Sequence, residues 1–371
     1  MVLKNKMHGE NGEMLDLALR VCRGYLNGPW KKISPNDISV KRISGGLSNW
    51  LYQVSLTKPL AKPAEPAQVL LRLYGQTHGE RALESLITDS VIFTLLSERG
   101  LGPRLHGIFP GGRIEEYIPA RPLKTCELAD KRLSPLIATR LAAVHSMHVP
   151  INKEPRWLWD TTARWLQTID EAKLKENHVV DENPIAETLY KLDLQKEVAW
   201  LREHLTKIKS QVVFCHNDLQ EGNILLREDQ DEPSLVLIDF EYCSYNYRGF
   251  DLANHFIEWT YDYTKPDYPN FSVHKENYPS EEQMRVFLER YAHSVPGQSP
   301  PCIEMLIREV HQFTLASHLF WGLWGVVNAK RSQIPFGYWE YAKERIDSYF
   351  QLKSELVGFD TGIKRKAADL E

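Results

Sequence analysis

The sequence predicts an α+β fold in two lobes, an N-terminal lobe built on an antiparallel sheet and a mainly helical C-terminal lobe. Three observations predict it. Short β-branched and aromatic runs cluster between residues 38 and 118, separated by turns rich in glycine or proline. Beyond the Pro-Ala-Arg-Pro stretch at 119–122, apolar residues recur at helical spacing over long segments. Within that helical half, residues 214–242 form one short strand-loop-strand island.

Residues 14–26 carry apolar positions at helical spacing and stop at Gly28 and Pro29, which predicts a first helix. The polar residues before it are expected to lack order. The runs ISVKRIS and WLYQVSL flank Gly45 and Gly46, and VLLRLYG follows a Pro/Ala/Lys-rich insert at 58–67. Those are three antiparallel strands with a glycine-rich first turn. Residues 80–99 read as a helix stopped by Gly100, Gly102 and Pro103, and RLHGIF and RIEEYI are two further strands turning through Pro110 and Gly111. Helices are expected over 134–148, 161–175 and 185–207, then over 281–291, 302–328 and 338–356. The boundary follows from this pattern: residues 1–118 form the sheet lobe and 119–371 the helical lobe.

A chain of 371 residues buries enough surface to fold without staples. Its formal charge of -4 gives no global field that would draw nucleic acid or an anionic membrane, so a charged ligand must be read by a local site. The five cysteines are scattered and form no CxxC pair, as expected of reduced thiols in the cytoplasm. The N-terminus lacks the apolar core of a secretory signal, and the apolar stretch at 315–327 is shorter than the roughly 18 residues of a membrane span. A cytoplasmic protein with no membrane span and no nucleic-acid partner is expected.

The chemistry concentrates in the island. FCHNDLQEGNILL, residues 214–226, is an apolar run broken by His216, Asn217 and Asp218 and resumed only after Gly222 and Asn223. A buried polar group without a partner costs about 1–3 kcal/mol, so that interruption asks for a function. Asp218 precedes Asn223 by five positions, the separation found in the kinase catalytic loop, and Asp239 ends the apolar run LVLI. Phosphoryl transfer needs these parts: a carboxylate near the attacking hydroxyl, and an amide and a second carboxylate to hold magnesium. Upstream, the Gly45-Gly46 turn presents backbone amides suited to phosphate oxygens, and Arg72 interrupts an apolar strand, where a cation needs an anionic partner. That partner is either a nucleotide phosphate or a carboxylate of the next helix, Glu84 or Asp89.

Taken together, RISGGLSN, VLLRLYG, LGPRLHGIFPGGRIEEYIP, HNDLQEGNIL and LIDFEYCSYNYRGFDLANHFIEW resemble the choline/ethanolamine kinase family, in the bilobal protein-kinase-like fold. The resemblance covers nearly the whole chain. Protein kinases carry Asp-Phe-Gly where this chain has Asp239-Phe240-Glu241, and an activation segment absent here. The resemblance implies ATP and magnesium, with Asp218 as catalytic base and Asn223 and Asp239 as metal ligands. It places Gly45, Gly46, Leu47, Ser48, Asn49 and Arg72 on the nucleotide, with the adenine-side hinge at 115–121 and Glu115, Tyr117 and Ile118 as contacts. The helix partner of the strand cation, glutamate in this fold, aligns with the shorter Asp89.

Trp321 and Trp324 stand three apart, on one face of a helix. Aromatic faces hold a quaternary ammonium, which donates no hydrogen bond, at about 0.5–2 kcal/mol per contact; the bland alternative is an aromatic core. The resemblance adds Gln220, Tyr242, Tyr263, Phe336 and Tyr341 to an acceptor pocket of the choline branch. Asp251, Asn254 and Glu258 share a helix face; Asp251 is expected to tie down the loop and Glu258 to supply negative potential near the cation. The implied reaction is phosphorylation of choline, and also of ethanolamine, at the start of phosphatidylcholine synthesis, by a homodimer. An ethanolamine-specific kinase and a nucleotide-binding pseudokinase scaffold are the alternatives.

Overall fold

The computed structural model of the chain describes residues 2–43, 49–58, 65–74, 80–176, 183–297 and 301–368. In chain order, α1 (Val2–Tyr25) leads to the strands β1 (Ile38–Ile43), β2 (Asn49–Leu56) and β3 (Gln68–Tyr74), then to α2 (Glu80–Glu98). Strands β4 (Leu105–Phe109), β5 (Gly112–Glu116) and β6 (Ala120–Pro122) follow, before helices α3 (Leu133–His145), α4 (Arg156–Glu176), α5 (Pro184–Tyr190) and α6 (Leu194–Thr206). The island supplies β7 (Val212–Cys215), β8 (Ile224–Arg227), β9 (Leu235–Leu237) and β10 (Ser244–Tyr247). Helix α7 (Arg248–Glu258), the short strands β11 (Tyr261–Asp262) and β12 (Ser272–Val273), and helices α8 (Glu281–Ser294), α9 (Ile303–Arg331) and α10 (Tyr338–Ala368) complete the chain.

The chain divides into two compact units, residues 1–121 with 225–241, and residues 122–224 with 242–371. The first unit contains a five-stranded sheet in the order β1-β2-β3-β5-β4, antiparallel throughout. Its core forms where α1 lays Ala18, Leu19 and Cys22, with Leu26 just beyond the helix, together with Val54, Val69, Leu71 and Ile114 of the sheet. Trp30 is fully buried in the same cluster, and its indole N–H finds the Pro66 carbonyl at 2.8 Å, so the burial leaves no orphan donor.

The second unit is helical around the pair β7-β10, in which Cys215 faces Ser244 and Phe214 faces Tyr245. Helix α7 is buried along its whole length, which no sequence periodicity announced. Among the described residues no helix is long and apolar enough to cross a membrane.

Two expectations are corrected. The first helix begins at Val2, within the segment expected to lack order; Leu, Lys, Met and Glu there are good helix formers. The single helix expected over 185–207 is two, because Asp193 turns its side chain back to the Lys196 amide and caps a new helix.

Candidate active site

The polar interruption lies in the second unit, immediately after β7. Asn217 adopts a left-handed conformation, φ 67°, which Asn tolerates better than most residues. The turn is held from below by Asp251, fully buried in the first turn of α7. Its Oδ2 accepts the His216 amide at 2.7 Å and its Oδ1 the Asn217 amide at 2.8 Å. His145 Nε2 adds a third hydrogen bond to Oδ2 at 2.9 Å. Burial alone would raise this carboxyl, yet the His145 side chain and the His216 amide hold it below the usual carboxylate range. Asp251 thus ties the loop down, as its spacing predicts. His145, Cys215 and Asp251 lie close enough to suggest a metal cluster, but these hydrogen bonds already satisfy the carboxylate.

The loop then folds on itself. Asn217 Nδ2 donates to the Tyr242 carbonyl and its Oδ1 accepts from Asn246 Nδ2, both at 2.8 Å. His216 is buried, and its Nδ1 accepts the Asp218 amide at 3.4 Å, so it orients the loop. Asn223 Nδ2 donates to the Asp218 carbonyl at 2.8 Å and to Asp218 Oδ2 at 3.0 Å, joining the two residues that the five-residue spacing singled out. Gln220 Oε1 accepts the Gly222 amide at 2.6 Å, and a Cβ at Gly222 would meet that oxygen at 2.9 Å, so a side chain there would displace the cap. Burial drives the neighbouring Cys215 thiol well above its usual range, which leaves no thiolate for nucleophilic chemistry.

Three further residues of α7 face functional groups. Asn254 Oδ1 accepts the Trp321 indole N–H at 2.7 Å and the Ser317 hydroxyl at 2.8 Å. His255, pushed down to about 4 by burial, is neutral and donates from Nδ1 to the Leu219 carbonyl at 2.9 Å. Glu258 Oε2 accepts the Tyr263 hydroxyl at 2.9 Å, while its Oε1 is ion-paired with Arg345, whose side chain is wholly buried. The negative charge expected of Glu258 is thus paired with a protein cation, Arg345.

All six aromatic residues expected at the acceptor pocket meet in one ring cluster. Tyr242 to Trp321 is 5.5 Å between centroids, Trp321 to Trp324 5.7 Å, and Trp324 to Tyr341 5.8 Å. Phe336 lies 5.7 Å from Tyr341, and Tyr263 6.4 Å from each of them. Tyr242, Tyr263, Trp324 and Phe336 are only half-buried, unlike core aromatics. Sequence reasoning missed Trp157, 6.2 Å from Tyr242, and Arg345, whose guanidinium carbon lies 3.9 Å from the Tyr261 ring centre and whose Nε donates to Tyr341 Oη at 3.0 Å. Neither had a motif to mark it. Glu221 was likewise unread: its Oε1 accepts from Thr125 at 3.1 Å, and burial, then the Glu258 charge, pushes it up to about 8.

In the first unit the cations pair differently from expectation. Arg72 Nε donates to Glu115 Oε1 at 2.6 Å, and Arg113 Nε donates to the same oxygen at 2.7 Å. Asp89 pairs with Arg113, not with Arg72. The reason is strand order: β5 lies beside β3, so Arg113 sits directly across from Arg72 and brings Glu115 with it. Glu115, expected beside the adenine, has its carboxylate fully buried between two arginines, which hold it below the usual range against its burial. Tyr117 and Ile118 occupy the segment between β5 and β6. Asn49 opens β2, and Gly45, Gly46, Leu47 and Ser48 lie outside the described residues. Asp239, two residues beyond β9, is half-buried and left-handed at φ 62°, a conformation that recurs at functional positions.

Each of two residues, taken by itself, offers a donor of the kind magnesium takes. Asn223 commits its amide nitrogen to Asp218, which leaves the amide oxygen as its hard ligand, and Asp239 supplies a carboxylate. Magnesium is commonly held by few protein oxygens, the rest coming from phosphates and water.

Known proteins carry the same pattern. A family model described as choline/ethanolamine kinase matches residues 40–350. A choline/ethanolamine kinase of Rattus norvegicus is 45% identical over 354 residues, covering 92% of this chain and 87% of its own length. Choline kinase alpha of Mus musculus is 42% identical, covering 90% of this chain and 80% of its own. The crystal structure of a choline kinase from Cryptosporidium parvum Iowa II superposes with a TM-score of 0.75 at 28% identity, over 94% of this chain and 97% of that one.

Proposed function

Because this chain belongs to the choline/ethanolamine kinase family, we propose that it transfers the γ-phosphate of ATP to the hydroxyl of choline and accepts ethanolamine as well. The observation that carries this reading is that one buried helix, α7, holds both the Asp218 loop through Asp251 and the ring cluster through Asn254. Proton acceptor and cation cage are thereby fixed to one rigid element. Trp321, Trp324, Tyr242, Tyr263, Phe336 and Tyr341 receive the trimethylammonium, and Gln220 is a further acceptor contact, so that the hydroxyl is presented to Asp218.

Asp218 accepts the hydroxyl proton as the oxygen attacks. Asn223 and Asp239 would each offer magnesium an oxygen ligand, and the ion, when bound, would neutralise charge developing on the phosphates. The glycine-rich turn Gly45-Gly46-Leu47-Ser48-Asn49 and Arg72 orient those phosphates. Tyr117 and Ile118 border the adenine. A cytoplasmic homodimer at the entry to phosphatidylcholine synthesis completes the reading.

ADP release by the purified protein with magnesium and ATP, comparing choline, ethanolamine and no acceptor, tests it. Turnover is expected with choline, and with ethanolamine at a different rate. Asp218→Asn should abolish it while leaving ATP binding intact. Turnover with ethanolamine alone would overturn the reading of the aromatics, and turnover with neither would favour a binding scaffold.

A further inference from the structure

Arg345 poses a physical problem: a wholly buried cation stands behind a cluster of rings that would receive another cation. Its Nη2 pairs with Glu258, its Nε donates to Tyr341 Oη at 3.0 Å, and its guanidinium carbon lies 3.9 Å from the Tyr261 ring centre and 5.1 Å from that of Tyr341. Glu258, with 3% of its side chain exposed, has Oε1 on Arg345 and Oε2 on the Tyr263 hydroxyl at 2.9 Å. Both oxygens of that carboxylate are spoken for. A primary ammonium carries three N–H donors that need acceptors once water is removed, whereas a quaternary ammonium has none and asks only for ring faces.

We propose that Arg345 is a specificity-determining residue: by holding Glu258 in a buried ion pair, it withdraws from the acceptor pocket the carboxylate that a primary ammonium would use, and so favours quaternary acceptors. This rests on the acceptor reading given above. Removing the arginine leaves Glu258 buried without its partner, in want of a cation. An ammonium with N–H groups satisfies that carboxylate by charge-assisted hydrogen bonds; trimethylammonium does not.

The test is the ratio of kcat/KM for choline to kcat/KM for ethanolamine, in which the fraction of active enzyme cancels. Arg345→Met should lower that ratio by about tenfold, the scale of one charge-assisted hydrogen bond. Tyr263→Phe, which retains the ring and the buried arginine but frees Glu258 Oε2, should lower it by about threefold. The double variant Arg345→Met with Glu258→Gln should restore the ratio, because no carboxylate remains to be released. A ratio unchanged or raised in Arg345→Met and Tyr263→Phe overturns the inference while sparing the kinase assignment. Should Arg345→Met fail to fold, Tyr263→Phe decides alone. If the unaltered protein phosphorylates neither amino alcohol, the acceptor reading itself fails.

Discussion

The Asp251 carboxylate accepts two backbone amides and an imidazole N–H in a fully buried setting. Its folded-state ionisation lies below the usual carboxylate range, so the unfolded chain, near pH 3.9, binds the proton first as acid is added. The resulting stability is fully present above about pH 5 and is lost as the pH falls through the lower, folded value. Asp251→Asn should therefore be less stable than the parent by about 3 kcal/mol at pH 7 in urea titrations, with the gap closing below about pH 4. A gap independent of pH would mean that something else holds the loop. Asp251 was legible because its spacing to Asn254 and Glu258 placed all three on one face. Arg345 was not, because a lone arginine on an amphipathic helix reads as solvated; its burial depends on which residues α7 and the segment around Tyr261 bring against it.

At the level of elements, strands and helices were legible from period and punctuation, but partners were not. The resemblance aligns Asp89 with the helix partner of the strand cation Arg72; the sheet instead places β5 beside β3, and Arg113 takes the helix carboxylate. Only the strand order, a product of the whole sheet, decides between those pairings. Helix α7 makes the same point, since its polar residues at 251, 254, 255 and 258 are all buried. Its seat on α9 depends on Gly249, where a Cβ would meet Phe313 Cδ2 at 2.5 Å and Glu309 Cγ at 2.8 Å. Gly249→Ala should cost about 1–3 kcal/mol in thermal or urea unfolding, and should lower turnover by displacing loop and cage together. Unchanged stability would show that the contact relaxes freely.

For the molecule as a whole, the formal charge is close to balance at -4, and no helix among the described residues is long and apolar enough to cross a membrane. The protein-kinase-like fold was readable because its motifs are spread along nearly the entire chain, and the choline kinase superposition agrees. Choline without nucleotide, at a hundred times its dissociation constant, should add about 2.7 kcal/mol of stability. Hydrogen exchange should locate that protection in α7, α9 and α10, with β1 to β5 unaffected; protection confined to the sheet would place the acceptor elsewhere. Helix α7 finally sets a length. Asp251, which holds the loop, and Asn254, which holds the ring cluster, are three residues apart, about 4.5 Å along a helix axis, and no side-chain motion stretches that interval. The helix is thus a ruler for the spacer between ammonium and hydroxyl in the acceptor. An amino alcohol with one more methylene, such as homocholine, should fill the cage with a similar KM yet present its oxygen out of line, and its kcat should fall by about tenfold or more.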